Sequence, residues 1–185
     1  MIRFLNKVLV STPIMGTDAT FDKSVILISV ILIYEESLQH VAGVILNKPN
    51  ITTVHEVFRI KGFKTTDFRR DKLFMGGPVN HDHVMVLHTE EWKSNNTMRL
   101  GNGFSMTSDH QMMDKFYLGN RPSLWRMICG ISLWTPDQLE NEIKRKFWMI
   151  LDNPSRDLIL NTKWAQQWQR SVDQVSQQTI DRFFN

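Results

Sequence analysis

The chain has 185 residues, enough for one domain with a proper hydrophobic core. With 42% hydrophobic and 22% charged residues it is neither disordered nor fibrous, and its net charge of +3 is too evenly mixed with acids to single out an acidic partner. One cysteine, Cys129, excludes an internal disulfide framework and suits a reducing compartment.

The first residues, MIRFLNKVLVSTP, carry two basic side chains, but Asn6 and Lys7 break the apolar run, which argues against a secretory signal. Lys7–Ser11 reads as a first strand that ends at Thr12-Pro13. VILISVILIY, from Val25 to Tyr34, is shorter than the roughly 18 apolar residues a membrane helix needs. Its Ile and Val content predicts a strand buried on both faces, so no transmembrane segment is expected. His40–Leu46 is a third strand, and Asn47-Lys48-Pro49-Asn50 a turn.

Thr53 and Glu56 have the spacing of a capping box, which predicts a helix that stops at Gly62. The segment Arg59–Lys72 then carries six basic residues against two acids. Strands Leu73–Met75 and Val84–His88 flank the glycine loop, and Ser94–Gly103 reads as loop or hairpin. Ser108 and Gln111 again have capping-box spacing, ahead of a short helix closed by Gly119, and Leu124–Ile131 is a strand.

The clearest helix is TPDQLENEIKRKFW, with Thr135 as N-cap and Pro136 at its first position. Its charges predict two solvent-facing i,i+4 pairs, Glu140 with Lys144 and Glu142 with Lys146. A last helix starting near Asn161 places Trp164, Trp168, Val172 and Val175 on one apolar stripe. Strands and helices are mixed without βαβ alternation. The expected class is α+β, a mixed sheet surrounded by helices, with one domain over 1–175 and a C-terminal tail over 176–185.

Three histidines, His81, His83 and His88, follow the loop Gly76-Gly77-Pro78. In an extended strand His81 and His83 face one side and His88 the other, so they do not converge on a metal, and exposed turn histidines are expected. The glycines lack the Lys-Ser/Thr of a phosphate loop, and their simplest role is close packing at a strand end. Cys129 lies in the apolar MICGI strand and reads as core, not nucleophile. No catalytic constellation, cofactor motif or metal set is recognisable.

In order along the chain, KVLVSTPIM, FDKSVIL (Phe21–Leu27), GVILNKP (Gly43–Pro49), FMGGPV (Phe74–Val79), VLHT (Val86–Thr89) and LWTPDQLENEI followed by Trp148 resemble the YqgE/AlgH family over nearly the whole length. The resemblance implies a compact α+β fold with a partly barrel-like sheet. Family members carry a label of transcriptional regulators, with no enzyme activity to transfer. The chain departs from the family pattern in a longer spacing between Ser24 and Gly43, in SVILIYEES where a Cys-Glu-His stretch is common, and in Leu133 and Asp137 where glycines are favoured.

The leading expectation is therefore a non-enzymatic interaction or regulatory protein, an accessory subunit with a protein partner. Its contact residues would be Phe183 and Phe184, with Arg69 and Arg70 on the basic segment. One alternative is a small-molecule or anion binder, possible enzyme chemistry included, using Ser11, Thr12, Asn47, Lys48, Gly76, Gly77 and Pro78 around one pocket. The other is a nucleic-acid-binding regulator working through Arg59–Lys72. Cysteine usage points to the cytoplasm, with a mitochondrial or plastid matrix as the alternative.

Overall fold

A long run such as VILIY forms a strand, and not a helix, when both of its faces find apolar partners, and β2 shows this directly. Val30, Leu32 and Tyr34 point into one core cluster, while Ile31 and Ile33 point into another on the opposite face. The computed structural model describes residues 4–12, 28–64 and 67–184, so the start of the expected strand at Val25 lies outside the described residues.

The strands are β1 (Val8–Ser11), β2 (Val30–Glu36), β3 (Val41–Ile45), β4 (Pro49–Thr53), β5 (Lys72–Met75), β6 (Val79–Thr89), β7 (Met98–Gly101), β8 (Phe104–Thr107), β9 (Trp125–Trp134) and β10 (Trp148–Leu151). The helices are α1 (Val54–Ile60), α2 (His110–Tyr117), α3 (Pro136–Lys144) and α4 (Trp164–Phe184), with a π-helical turn at Asp157–Asn161. They make one α+β domain around a curled, partly barrel-like sheet ordered β10-β1-β2-β3-β9-β6-β8-β7. Pairing is antiparallel except between β5 and β9.

Strand β9 holds the sheet together. Its first half pairs with β5 (Met127–Cys129) and its far end with β3 (Ser132–Trp134), while β6 runs along its other edge. Met127 and Cys129 face α1 and α2, whereas Ile128 faces the core beneath α4. A third cluster packs Trp134, Leu139, Phe147 and Trp148 around α3. Among the described residues, no helix is long and apolar enough to cross a membrane.

The local signals hold where they are self-contained. Thr53 accepts from the Glu56 backbone while Glu56 bonds back to the Thr53 N–H, and Thr135 caps α3 with Pro136 in its first turn. Several expectations are corrected. The second half of the expected Asn47–Asn50 turn, Pro49 and Asn50, instead opens strand β4, which pairs with β5 and has Pro49 at its first position, where a missing N–H costs least. Asp109, and not Ser108, caps α2, accepting from Met112 N at 2.8 Å. Glu142 is buried, and is not half of a wet pair with Lys146. Trp164 is 41% exposed, although Trp168, Val172 and Val175 do pack on the core. Helix α4 starts three residues later than expected and continues to Phe184, so the boundary at 175 falls inside one helix.

Candidate functional site

Gly76 and Gly77 sit where the β5–β6 connection crosses the backbone of β9. A Cβ on Gly76 would lie 2.3 Å from the Gly130 carbonyl oxygen, and one on Gly77 2.2 Å from the Ile131 carbonyl carbon. The Gly76 N–H donates to Cys129 O at 2.8 Å, and its carbonyl accepts from Ile45 N at 2.9 Å and Ser132 Oγ at 3.1 Å. These peptide groups are committed to the sheet, and Pro78 starts the exit into β6.

The other residues of the expected ligand pocket are near one another but similarly engaged. Ser11 Oγ accepts from Ser29 N, and Asn47 Oδ1 accepts from Val30 N while its Nδ2 donates to Ile28 O, so both tie down the entry to β2. Thr12 Oγ1 donates to Lys146 O at 2.7 Å, and the Lys48 carbonyl accepts from Met75 N at 2.8 Å.

His81 and His83 are exposed on the irregular first half of β6, where the register with β9 shifts between Val79 and Val84. His88 is not a turn histidine. It is fully buried, with its ring edge-to-face on Trp92. Its Nδ1 lies 2.9 Å from Thr89 O, so that nitrogen donates and Nε2 accepts from the Thr107 hydroxyl at 2.8 Å. Burial holds its pKa below the usual histidine value, against the opposing pull of the Thr89 hydrogen bond and nearby Glu91. Among the described residues, no three His, Cys, Asp or Glu side chains gather as a metal site would require. Burial pushes the Cys129 thiol up, and its sulfur sits 3.5 Å from both Phe74 O and Asn50 Nδ2.

Sequence reasoning missed Arg126. It lies on β9, in the middle of the sheet, and the residue is only 6% exposed. Nη1 donates to the Leu46 carbonyl and to Gln167 Oε1, Nη2 reaches Thr162 O at 3.4 Å, and the group lies 4.6 Å over the Phe74 ring. No carboxylate among the described residues pairs with it. Burial alone lowers its pKa to about 10, which leaves it a cation at neutral pH. A cavity of about 260 Å³ opens beside it, lined also by Arg70, Lys72, Trp125, Lys163 and Trp164. Arg70 thus joins this cavity, while its neighbour Arg69 is exposed to solvent. Nothing local in LWRMI marked the arginine; its partners are 36 to 80 residues away.

A second surface lies at the far end of α4. Trp168 Nε1 donates to Ser11 O, Gln178 bonds Asp152 N and Ile150 O, and Arg182 pairs with Asp152, so the helix is fastened along β1 and β10. Beyond these ties Phe183 is 83% and Phe184 85% exposed, with Ile180 49% exposed on the preceding turn.

Comparison with known proteins places this arrangement. A "UPF0301 protein" of Francisella philomiragia is 28% identical over 186 residues, covering 97% of this chain and 94% of the relative. The one from Francisella tularensis subsp. mediasiatica is 26% identical over 187 residues, with the same coverage. The solution structure of the AlgH protein from Pseudomonas aeruginosa superposes with a TM-score of 0.74 at 20% identity, over 93% of this chain and 90% of that one. A crystal structure of a protein from Corynebacterium diphtheriae gives 0.68 at 23% identity, over 91% and 85%. The family described as AlgH-like matches residues 8–179, and the chain belongs to that family.

Proposed function

We propose that this protein is a non-enzymatic interaction protein, an accessory or regulatory subunit that engages a protein partner through the far end of α4. The observation that carries the reading is the exposure of Phe183 and Phe184 on a helix whose preceding turns are fastened to β10. On a helix, Trp168, Val172 and Phe183 fall along one line, so Phe183 continues an edge that packs on the core and presents it to solvent. Ile180 stands three residues before Phe183 and four before Phe184, on the same side.

The two rings offer on the order of 300 Å² of apolar surface, comparable with the largest patch on a typical monomer. Covering it would contribute roughly 7 kcal/mol before the costs of association. That is sufficient for a docking anchor, not for a whole interface, and the polar groove lined by Asp152, Gln174, Gln178 and Arg182 supplies a rim beside it. The bacterial relatives and the single buried thiol accord with a cytoplasmic setting.

The experiment is the native size of the protein in gentle extracts of the cells that make it. Migration well above 21.7 kDa is expected for the wild type, collapsing to the monomer in Phe183→Asp/Phe184→Asp. A wild-type protein that runs alone as a monomer, or a variant that keeps the large form, would refute the reading.

A further inference from the structure

We propose that the cavity beside Arg126 binds a small phosphate monoester, with the phosphate against Arg126, Lys72 and Lys163 and the organic body against Trp125 and Trp164. This site lies away from the Phe183–Phe184 end of α4, at the helix's opposite terminus, and stands independently of the interaction proposed there.

Charge is the first argument. Four cations, Arg70, Lys72, Arg126 and Lys163, line the cavity with one carboxylate, Asp71. None of the four forms an ion pair among the described residues. A phosphate monoester carries a charge near −2 at neutral pH and three acceptor oxygens, which suits this excess better than a single carboxylate does.

Donor accounting is the second. A guanidinium has five N–H groups. Contacts to Leu46, Gln167 and Thr162 use both hydrogens of Nη1 and one of Nη2, so one N–H on Nε and one on Nη2 have no protein acceptor among the described residues. Nε and Nη2 are the pair that makes a side-on, two-pronged contact with an oxyanion. Bracing β9 against α4 accounts for Nη1 but leaves this edge and the basic rim unexplained.

The walls are the third. Trp164 stands one heptad before Ser171, which is fully buried, so both lie on the sheet-facing side of α4. Trp164 is nevertheless 41% exposed, because the space beneath it is the cavity. Thr162, Lys163 and Trp164 also bring the positive end of a 21-residue helix to the same space. A volume of about 260 Å³ suits a ligand smaller than a typical drug. Arg126 is buried beside a cavity of this size, which favours a small ester over a polynucleotide.

The test titrates phenyl phosphate, inorganic phosphate and benzoate into the full chain, read by calorimetry and by the indole N–H signals of Trp125 and Trp164. Removing Arg126 also removes a brace, so the informative variant is Lys72→Gln/Lys163→Gln, which changes two exposed side chains. Saturable binding of one phenyl phosphate per chain is expected, with both indole signals shifting. Affinity should fall at least about tenfold in the double variant and for benzoate. No saturation by phenyl phosphate at concentrations of about 5 mM would overturn the proposal. So would unchanged affinity in the double variant, or inorganic phosphate binding as tightly as the phenyl ester.

Discussion

Gly77 approaches Ile131 so closely that its missing side chain is part of the fold: a Cβ there would stand 2.2 Å from the Ile131 carbonyl carbon and 2.3 Å from its oxygen. Both obstacles are backbone and cannot rotate away. Gly77→Ala should therefore cost about 3 kcal/mol or more, measured by urea unfolding, because the β5–β6 connection must lift off β9. Gly62 is the contrast. It closes α1 at a φ of +89°, and a Cβ there would meet nothing within 4 Å, so Gly62→Ala should cost about 1 kcal/mol from backbone conformation alone. Equal costs at the two positions would show that close packing is not what Gly77 provides.

That contrast also marks what the sequence could disclose. The capping box at Thr53 and Glu56, the Thr135-Pro136 helix start and the doubly buried run of β2 are set by residues a few places apart, and each was legible. Glu142, His88 and Arg126 were not. Spacing made Glu142 a surface partner of Lys146, whereas Trp134 and Trp148 claim it from separate strands. His88 depends on Thr107 across the β6–β8 pair, and the Arg126 cavity is assembled from residues 70–74, 125–126 and 160–164. A buried polar group is defined by distant partners, and local pattern does not carry that information. The GGPV loop was legible as packing, while the Arg126 cavity beside β5 was not.

Glu142 should behave as a polar keystone for the third core cluster. One oxygen, Oε2, accepts the indole N–H of Trp134 at 3.1 Å and that of Trp148 at 2.7 Å, and Oε1 accepts from Gln138 at 3.0 Å. The two rings meet edge-to-face at 6.3 Å. Glu142→Ala leaves two buried donors unpaired, at about 1–3 kcal/mol each, and a destabilisation of about 3 kcal/mol is expected. Glu142→Gln keeps an amide oxygen in place and should lose about half of that. If the alanine and glutamine variants unfold at the same denaturant concentration, the acceptor is not what holds the two indoles.

His88 predicts a loss of stability on mild acidification. Its pKa in the folded protein is lowered from 6.5, chiefly by burial, so the unfolded chain binds the proton more readily. The neutral ring's contribution is complete above about pH 6.5 and is lost as pH falls through the lower folded-state value. Urea midpoints of wild type and His88→Gln, compared at about pH 8 and about pH 5, should converge as the pH falls. Parallel midpoints would mean that His88 accepts its proton without cost to the fold.

Glu91 sets a second, more acidic step. Burial raises its pKa, but hydrogen bonds from the Thr89 hydroxyl at 2.5 Å and from the Ser123 N–H and hydroxyl, both at 2.7 Å, outweigh it and hold the value down to about 2 from 4.5. The carboxylate thereby joins the end of β6 to the turn that enters β9. Because the folded pKa is depressed, the unfolded chain takes up the proton first. The stabilisation is intact above about pH 4.5 and disappears as pH falls through about 2. The carboxylate is largely solvent-accessible, so screening reduces the effect and added salt should shrink it further. Glu91→Gln should remove this step and move the His88 step to lower pH, since the Glu91 charge is one of the pulls that raise the His88 value. A wild-type stability that stays level between about pH 4.5 and 2 while the variant's does the same would show that the Ser123 and Thr89 bonds survive protonation.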